Sequence, residues 1–153
     1  MSWADVVFMG TSSFAILPLR ALKDAGFRIS LVVTTPDKPK GRGLKIASPA
    51  VKEEADRLGL KFIQPESIKD PEFIEMMRRI SPDFIVVAAY GKILPPALLS
   101  VPKKAPVNLH ASLLPKYRGP APIQWAIING ERITGVTTII MDEGIDTGPI
   151  LLQ

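Results

Sequence analysis

Asn108-Leu109-His110-Ala111-Ser112-Leu113-Leu114-Pro115-Lys116-Tyr117-Arg118-Gly119 organises the reading of the whole chain, and it holds the only histidine. Residues from Val107 onward have strand character, and successive strand residues point to opposite faces. Asn108 and His110 therefore project from the same face, offering an amide donor and a titratable imidazole to one target. Ser112-Leu113-Leu114-Pro115 turns away as an apolar loop closed by proline. Tyr117-Arg118-Gly119 then adds charge and a hinge. A polar pair beside an apolar wall is the usual plan of a small-ligand site. A lone histidine at a strand end is also a common structural residue, so its neighbours have to decide between the two.

Working outward, residues 83–89 (Asp-Phe-Ile-Val-Val-Ala-Ala) are the most apolar run. This is the pattern of a strand buried on both faces, expected at the centre of a parallel sheet. Tyr90-Gly91-Lys92-Ile93-Leu94-Pro95-Pro96 leaves its carboxyl end, where open α/β sheets place their ligands; Ile93 and Leu94 also suit a simple plug for the sheet end. Residues 5–10, 27–34 and 61–63 read as further strands. Helices are expected between them: one over 14–25, capped by Thr11-Ser12-Ser13 and stopped by Gly26; one from Ser48 as N-cap and Pro49 as first residue to Gly59; and one opened by Asp70-Pro71-Glu72 and ended by Ser81-Pro82. Beyond the organising stretch, 120–130 reads as a proline-started helix, 134–141 as a β-branched strand, and the chain closes in strand character after Gly148. Alternating strands and helices of these lengths predict an α/β open sheet with right-handed crossovers.

Residues 35–48 stand out, with two prolines, two glycines, four basic residues and one acid. Connectors in α/β units usually need about two to six residues. The segment is either a solvated linker or a mobile arm for a phosphate backbone, with Lys38, Lys40, Arg42 and Lys45 as contacts.

Composition narrows the function. The chain has 153 residues, of which 46% are hydrophobic and 22% charged, enough for one globular domain with a real core. No apolar run is long enough to span a membrane and the start lacks a basic signal-peptide region, so the cytoplasm is the expected compartment. With no cysteine and one histidine, no disulfide framework and no ordinary zinc or iron–sulfur site is expected. The net charge of +4 permits a polyanionic partner. A single Gly10 is not a G-x-G-x-x-G fingerprint, which argues against a dinucleotide site. Asp146-Thr147-Gly148 matches the aspartic-protease triplet, but that fold is all-β. No G-x-S-x-G elbow supports a hydrolase triad of Ser112, His110 and Asp146.

Asn-x-His-x-Ser-Leu-Leu-Pro resembles the signature of the folate-dependent formyltransferases, and the remaining segments resemble the methionyl-tRNA formyltransferases among them. The matching residues are Met9-Gly10-Thr11 with Phe14-Ala15, Pro36-Asp37-Lys38-Pro39 with Gly41-Arg42-Gly43, residues 89–95, residues 108–115, Arg118-Gly119 with Ala121-Pro122-Ile123-Gln124, and residues 144–148. They are collinear over nearly the whole chain. Ser12, Pro120 and Trp125 depart from the family pattern, where proline, alanine and a basic residue are usual.

The resemblance implies a Rossmann-like, mostly parallel formyltransferase fold. It also implies formyl transfer from 10-formyltetrahydrofolate to the amino group of initiator methionyl-tRNA. Asn108, His110 and Asp146 are implied as the catalytic trio. A folate pocket is expected from Ser112, Leu113, Leu114, Pro115, Tyr90, Gly91, Ile93 and Leu94. Phe14 is expected near the methionyl side chain, and Arg42, flanked by Lys38, Lys40 and Lys45, at the tRNA acceptor end. The Gly-Arg-Gly loop separates this family from relatives that formylate a small ribonucleotide amine. A small-amine transferase and a non-catalytic folate- or tRNA-binding fragment are the competing expectations. The family implies about twice this length, with an OB-type C-terminal barrel. Residues 1–153 are thus expected to form an N-terminal catalytic domain, incomplete at its C-terminal end and monomeric.

Overall fold

The computed structural model describes residues 4–40 and 45–153. Seven strands form one sheet and two form a separate hairpin. In chain order these are β1 (Asp5–Gly10), β2 (Arg28–Val33), β3 (Lys38–Lys40), β4 (Lys45–Ala47), β5 (Phe62–Ile63), β6 (Phe84–Ala88), β7 (Ala105–His110), β8 (Thr137–Ile140) and β9 (Ile150–Leu152). The helices are α1 (Ile16–Asp24), entered through a 3-10 turn at Ser13–Ala15, α2 (Ala50–Arg57), α3 (Pro71–Ile80), α4 (Pro96–Leu99) and α5 (Pro122–Ile128). The large sheet runs β5-β2-β1-β6-β7-β8-β9. Its first five strands are parallel, and β7–β8 and β8–β9 are antiparallel. This is the expected mostly parallel α/β sheet, with the most apolar strand at its centre.

Burial of β1 and β6 on both faces explains their unbroken apolar sequences. Val7, Met9, Ile85 and Val87 face Phe73, Ile74 and Met77 of α3. Val6, Phe8, Val86 and Ala88 face Leu19 of α1 and Val51 and Ala55 of α2. Each such side chain contributes about 1.5–3 kcal/mol on burial, so the two layers fix the strand ends that carry the site. The buried Glu54 ties α1 to α2 by accepting from Arg20 (Nε to Oε1 2.6 Å) and Arg57 (Nη2 to Oε1 2.6 Å). No helix among the described residues is long and apolar enough to cross a membrane.

Two local expectations need correction. The basic segment, read as a solvated linker or a mobile arm, carries an antiparallel hairpin in which β3 and β4 pair, Lys38 opposite Ala47 and Pro39 opposite Ile46. Asp37 anchors it, accepting from Lys52 Nζ at 2.6 Å and from Gln64 Nε2 at 2.6 Å. Ser48 does not cap α2; its hydroxyl reaches Asp37 at 3.4 Å, and Pro49 takes the cap position. The short α4, between Pro95 and Ser100, was not legible from pattern. Asp70 caps α3 as expected, accepting from the Glu72 amide at 3.1 Å.

Candidate functional site

Where the carboxyl ends of β1, β6 and β7 meet, the chain encloses a cavity of about 640 Å³, within the range of small-ligand sites. It lies where the strand order reverses, since β1 leads to β2 on one side and β6 joins β1 on the other. Segments leaving those strands build it. After β1, Ser12 and Phe14 line it; after β6, Ala89 to Leu94; at the end of β7, Asn108 to Ala111.

Strand parity brings Asn108 and His110 to one side, as expected, and there both meet Asp146. Asn108 Nδ2 donates to Asp146 Oδ1 at 3.2 Å, and His110 Nδ1 lies 3.3 Å from Oδ2. The Gly119 amide also donates to Oδ2, at 3.0 Å. Asp146 holds a left-handed backbone at φ 52, a conformation an Asp side chain tolerates better than most. β8 runs back along β7, from Thr137 opposite His110 to Ile140 opposite Val107, so the segment after β8 leaves beside the start of β7 and folds back over Asn108 and His110 to bring in Asp146.

His110 is buried, and its second nitrogen, Nε2, lies 2.8 Å from the Tyr117 carbonyl. A carbonyl oxygen only accepts, so Nε2 carries the proton of that bond. The Tyr117 carbonyl is aimed by a turn with left-handed Tyr117 (φ 55), Gly119 (φ 89) and Ala121 (φ 57).

Gly91, Ile93 and Leu94 border the cavity, as does Phe14. Ala89 (φ 44) and Gly91 (φ 86) are left-handed. Tyr90 between them sends its ring into the core, 1% exposed, while its carbonyl accepts from Thr11 Oγ1 at 2.8 Å. Burial pushes the Tyr90 phenol up to about 12. Ser112, Leu113, Leu114 and Pro115 do not border the cavity. Ser112 is fully buried and donates to the Lys116 carbonyl at 2.6 Å, Leu114 N donates to Thr137 Oγ1 at 3.0 Å, and the Leu114–Pro115 bond is cis. Lys38 is exposed on β3. Arg42 and the side chains of Lys40 and Lys45 lie outside the described residues.

Several lining residues were missed from sequence: Pro120 to Gln124 on the opposing loop and helix, and Ile139, Met141 and Ile145. Ile139 was recoverable, because it shares the buried face with Thr137 and alternates with Thr138 and Ile140 on a strand paired to Asn108.

The profile of the family described as formyl transferase matches residues 4–153. The chain belongs to the formyl transferase family. Among its relatives, a methionyl-tRNA formyltransferase of Thermodesulfovibrio yellowstonii is 59% identical over 98% of this chain and 49% of its own length. One from Pelobacter propionicus is 54% identical over all of this chain and 48% of its own. The chain thus spans about half the length of these curated relatives. Among solved formyl transferase structures, a phosphoribosylglycinamide formyltransferase from Bacillus halodurans superposes with a TM-score of 0.77 at 26% identity, covering 97% of this chain and 77% of that one. A sugar N-formyltransferase from Shewanella sp FDAARGOS_354 shares the fold, with a TM-score of 0.63 at 22% identity, covering 98% of this chain and 56% of that one.

Proposed function

We propose that residues 1–153 form a catalytic domain that transfers the formyl group of 10-formyltetrahydrofolate to the amino group of methionyl-initiator-tRNA. The observation that carries this reading is the convergence of Asn108, His110 and Asp146 on one cavity wall, in a formyl transferase chain. The amine nitrogen attacks the formyl carbon, and the carbonyl electron pair moves onto oxygen to give a tetrahedral oxyanion. An oxyanion requires fixed donors. Asn108 spends one amide hydrogen on Asp146 and keeps the second for that oxygen; because the His110 Nε2 proton is held by the Tyr117 carbonyl, His110 adds a second donor only through a proton on Nδ1, the nitrogen beside Asp146. Asp146 takes the amine proton, directly or through water, and an equivalent proton reaches the folate nitrogen as the carbon–nitrogen bond breaks. The products are the formamide and tetrahydrofolate.

Gly91, Ile93 and Leu94, with the Tyr90 backbone, suit the flat apolar body of a folate. Of the four residues Ser112 to Pro115, Ser112 and Leu114 are buried and hold the loop that follows β7. Phe14 suits an apolar methionyl side chain, and the basic residues Lys38, Lys40, Arg42 and Lys45 suit tRNA phosphates.

The test is formyl transfer from 10-formyltetrahydrofolate with methionyl-tRNA and small amines as alternative acceptors. Formylation of the tRNA alone supports the reading; formylation of a small amine alone moves the chain to a different acceptor. Asn108→Ala should lower turnover about 10²–10³-fold, the usual loss for one oxyanion donor, with folate binding retained. Near-normal turnover would sink the assignment.

A further inference from the structure

We propose that Glu131, outside the cavity, is a positioning residue that aims the ring of His110 by bracing the Lys116–Gly119 turn. Glu131 follows α5 and is held there by its own amide, which donates to the Ala126 carbonyl at 2.9 Å. Its Oε1 accepts from the Tyr117 hydroxyl at 2.6 Å and pairs with Lys116 Nζ at 2.5 Å. Lys116 also lies over the Tyr117 ring, 5.5 Å from its centroid. The brace therefore grips both side chains at the tip of the turn.

The turn needs such a grip. Tyr117 is a bulky residue in the left-handed region, at φ 55, a conformation that persists only where surroundings over-determine it. From inside, Ser112 holds the turn through the Lys116 carbonyl. From outside, Glu131 accepts from the Tyr117 hydroxyl, with Lys116 over the ring and Asn129 beside the hydroxyl, and the Tyr117 carbonyl takes the His110 Nε2 proton. Lys116 and the Tyr117 hydroxyl hold the Glu131 carboxyl below the usual glutamate range, so the brace is an ionised acceptor at neutral pH. Two hydrogen bonds thus connect a partly exposed carboxylate to the buried imidazole: Glu131 to the Tyr117 hydroxyl, and the Tyr117 carbonyl to His110. The relay selects the tautomer by fixing the acceptor at one ring nitrogen.

This inference rests on the role proposed for His110 but is testable without turnover, because His110 is the only histidine. In the chain labelled with ¹⁵N-histidine, long-range proton–nitrogen spectra should show one ring with Nε2 protonated. Glu131→Ala should lose that fixed signature, whereas Glu131→Gln, whose amide oxygen still accepts from Tyr117, should restore it. Tyr117→Phe, which deletes one hydroxyl, should match Glu131→Ala and serves as the test if the alanine variant does not fold. In the transfer assay Glu131→Ala should lower kcat about tenfold or more at unchanged KM, with recovery in Glu131→Gln. An unchanged spectrum in folded Glu131→Ala or Tyr117→Phe overturns the brace whatever the rate. A changed spectrum with undiminished transfer keeps the brace and overturns the catalytic role given to His110.

Discussion

Gly148→Ala tests whether the segment after β8 is seated as tightly as the site requires. A Cβ at Gly148 would fall on the backbone carbonyl oxygen of Ile140. That carbonyl belongs to β8, and Ile140 N in turn donates to the Pro149 carbonyl at 2.9 Å. Neither partner is a side chain that can swing aside. Overpacking against such a neighbour costs about 1–3 kcal/mol, and a strand backbone places it at the upper end, about 3 kcal/mol. For a domain of this size that is a fall in Tm of roughly 6–12 °C. Two neighbours calibrate the argument. At Gly144 the added carbon meets the Thr147 hydroxyl, which can rotate at the loss of one exposed bond to Asp142, about 0.5–1 kcal/mol. At Gly91 there is open space but φ is +86, so strain of about 1–2 kcal/mol is partly offset by about 0.4–1 kcal/mol of reduced unfolded-state freedom. Urea unfolding of the three alanine variants should rank Gly148 as the most damaging. A Gly148→Ala protein within about 0.5 kcal/mol of the parent, the range of an inconsequential surface change, would refute the seating described.

Two pH dependences follow from buried groups. The guanidinium of Arg20, and then that of Arg57, hold the Glu54 carboxyl far below its ordinary range. This contribution is fully present above about pH 4.5, the ordinary glutamate value, and is lost as pH falls toward the depressed value. Glu54→Gln should be less stable at neutral pH and flatten the acid limb of a Tm-against-pH curve; an identical acid limb would contradict the ion triad. For Tyr90 the folded phenol titrates near 12 against 10 when unfolded. Its contribution is complete below pH 10 and is lost as pH rises through 12. Tyr90→Phe should hold its Tm further into alkali than the parent, and equal alkaline slopes would exclude Tyr90 as the source.

The parts legible from sequence were those set by short-range periodicity. The continuous apolar run 84–88 marked the central strand because burial on both faces leaves no polar alternation. The i, i+2 spacing of Asn108 and His110 placed both on one face, and both meet Asp146. The hairpin β3–β4 was obscured because Pro39, Gly41 and Gly43 break the pattern by which strands are read. The direction of residues 112–115 was also hidden, since it is set by the Ser112 hydroxyl bonding back to Lys116 and by Thr137, 25 residues beyond Ser112. Glu131 carried no motif at all. Its place beside Tyr117 depends on a left-handed turn and on how α5 ends, neither of which spacing encodes.

The trio and its brace all come from residues 108–146, whereas the basic hairpin grows from the β2-to-α2 crossover and is fastened through Asp37 to α2 and to Gln64. The two excursions are separate graftings on one platform. The stretch between β2 and α2 can be lengthened, shortened or recharged without altering a residue that touches Asp146. A scaffold arranged this way can vary the length and charge of one surface hairpin while the geometry at the end of β7 stays intact.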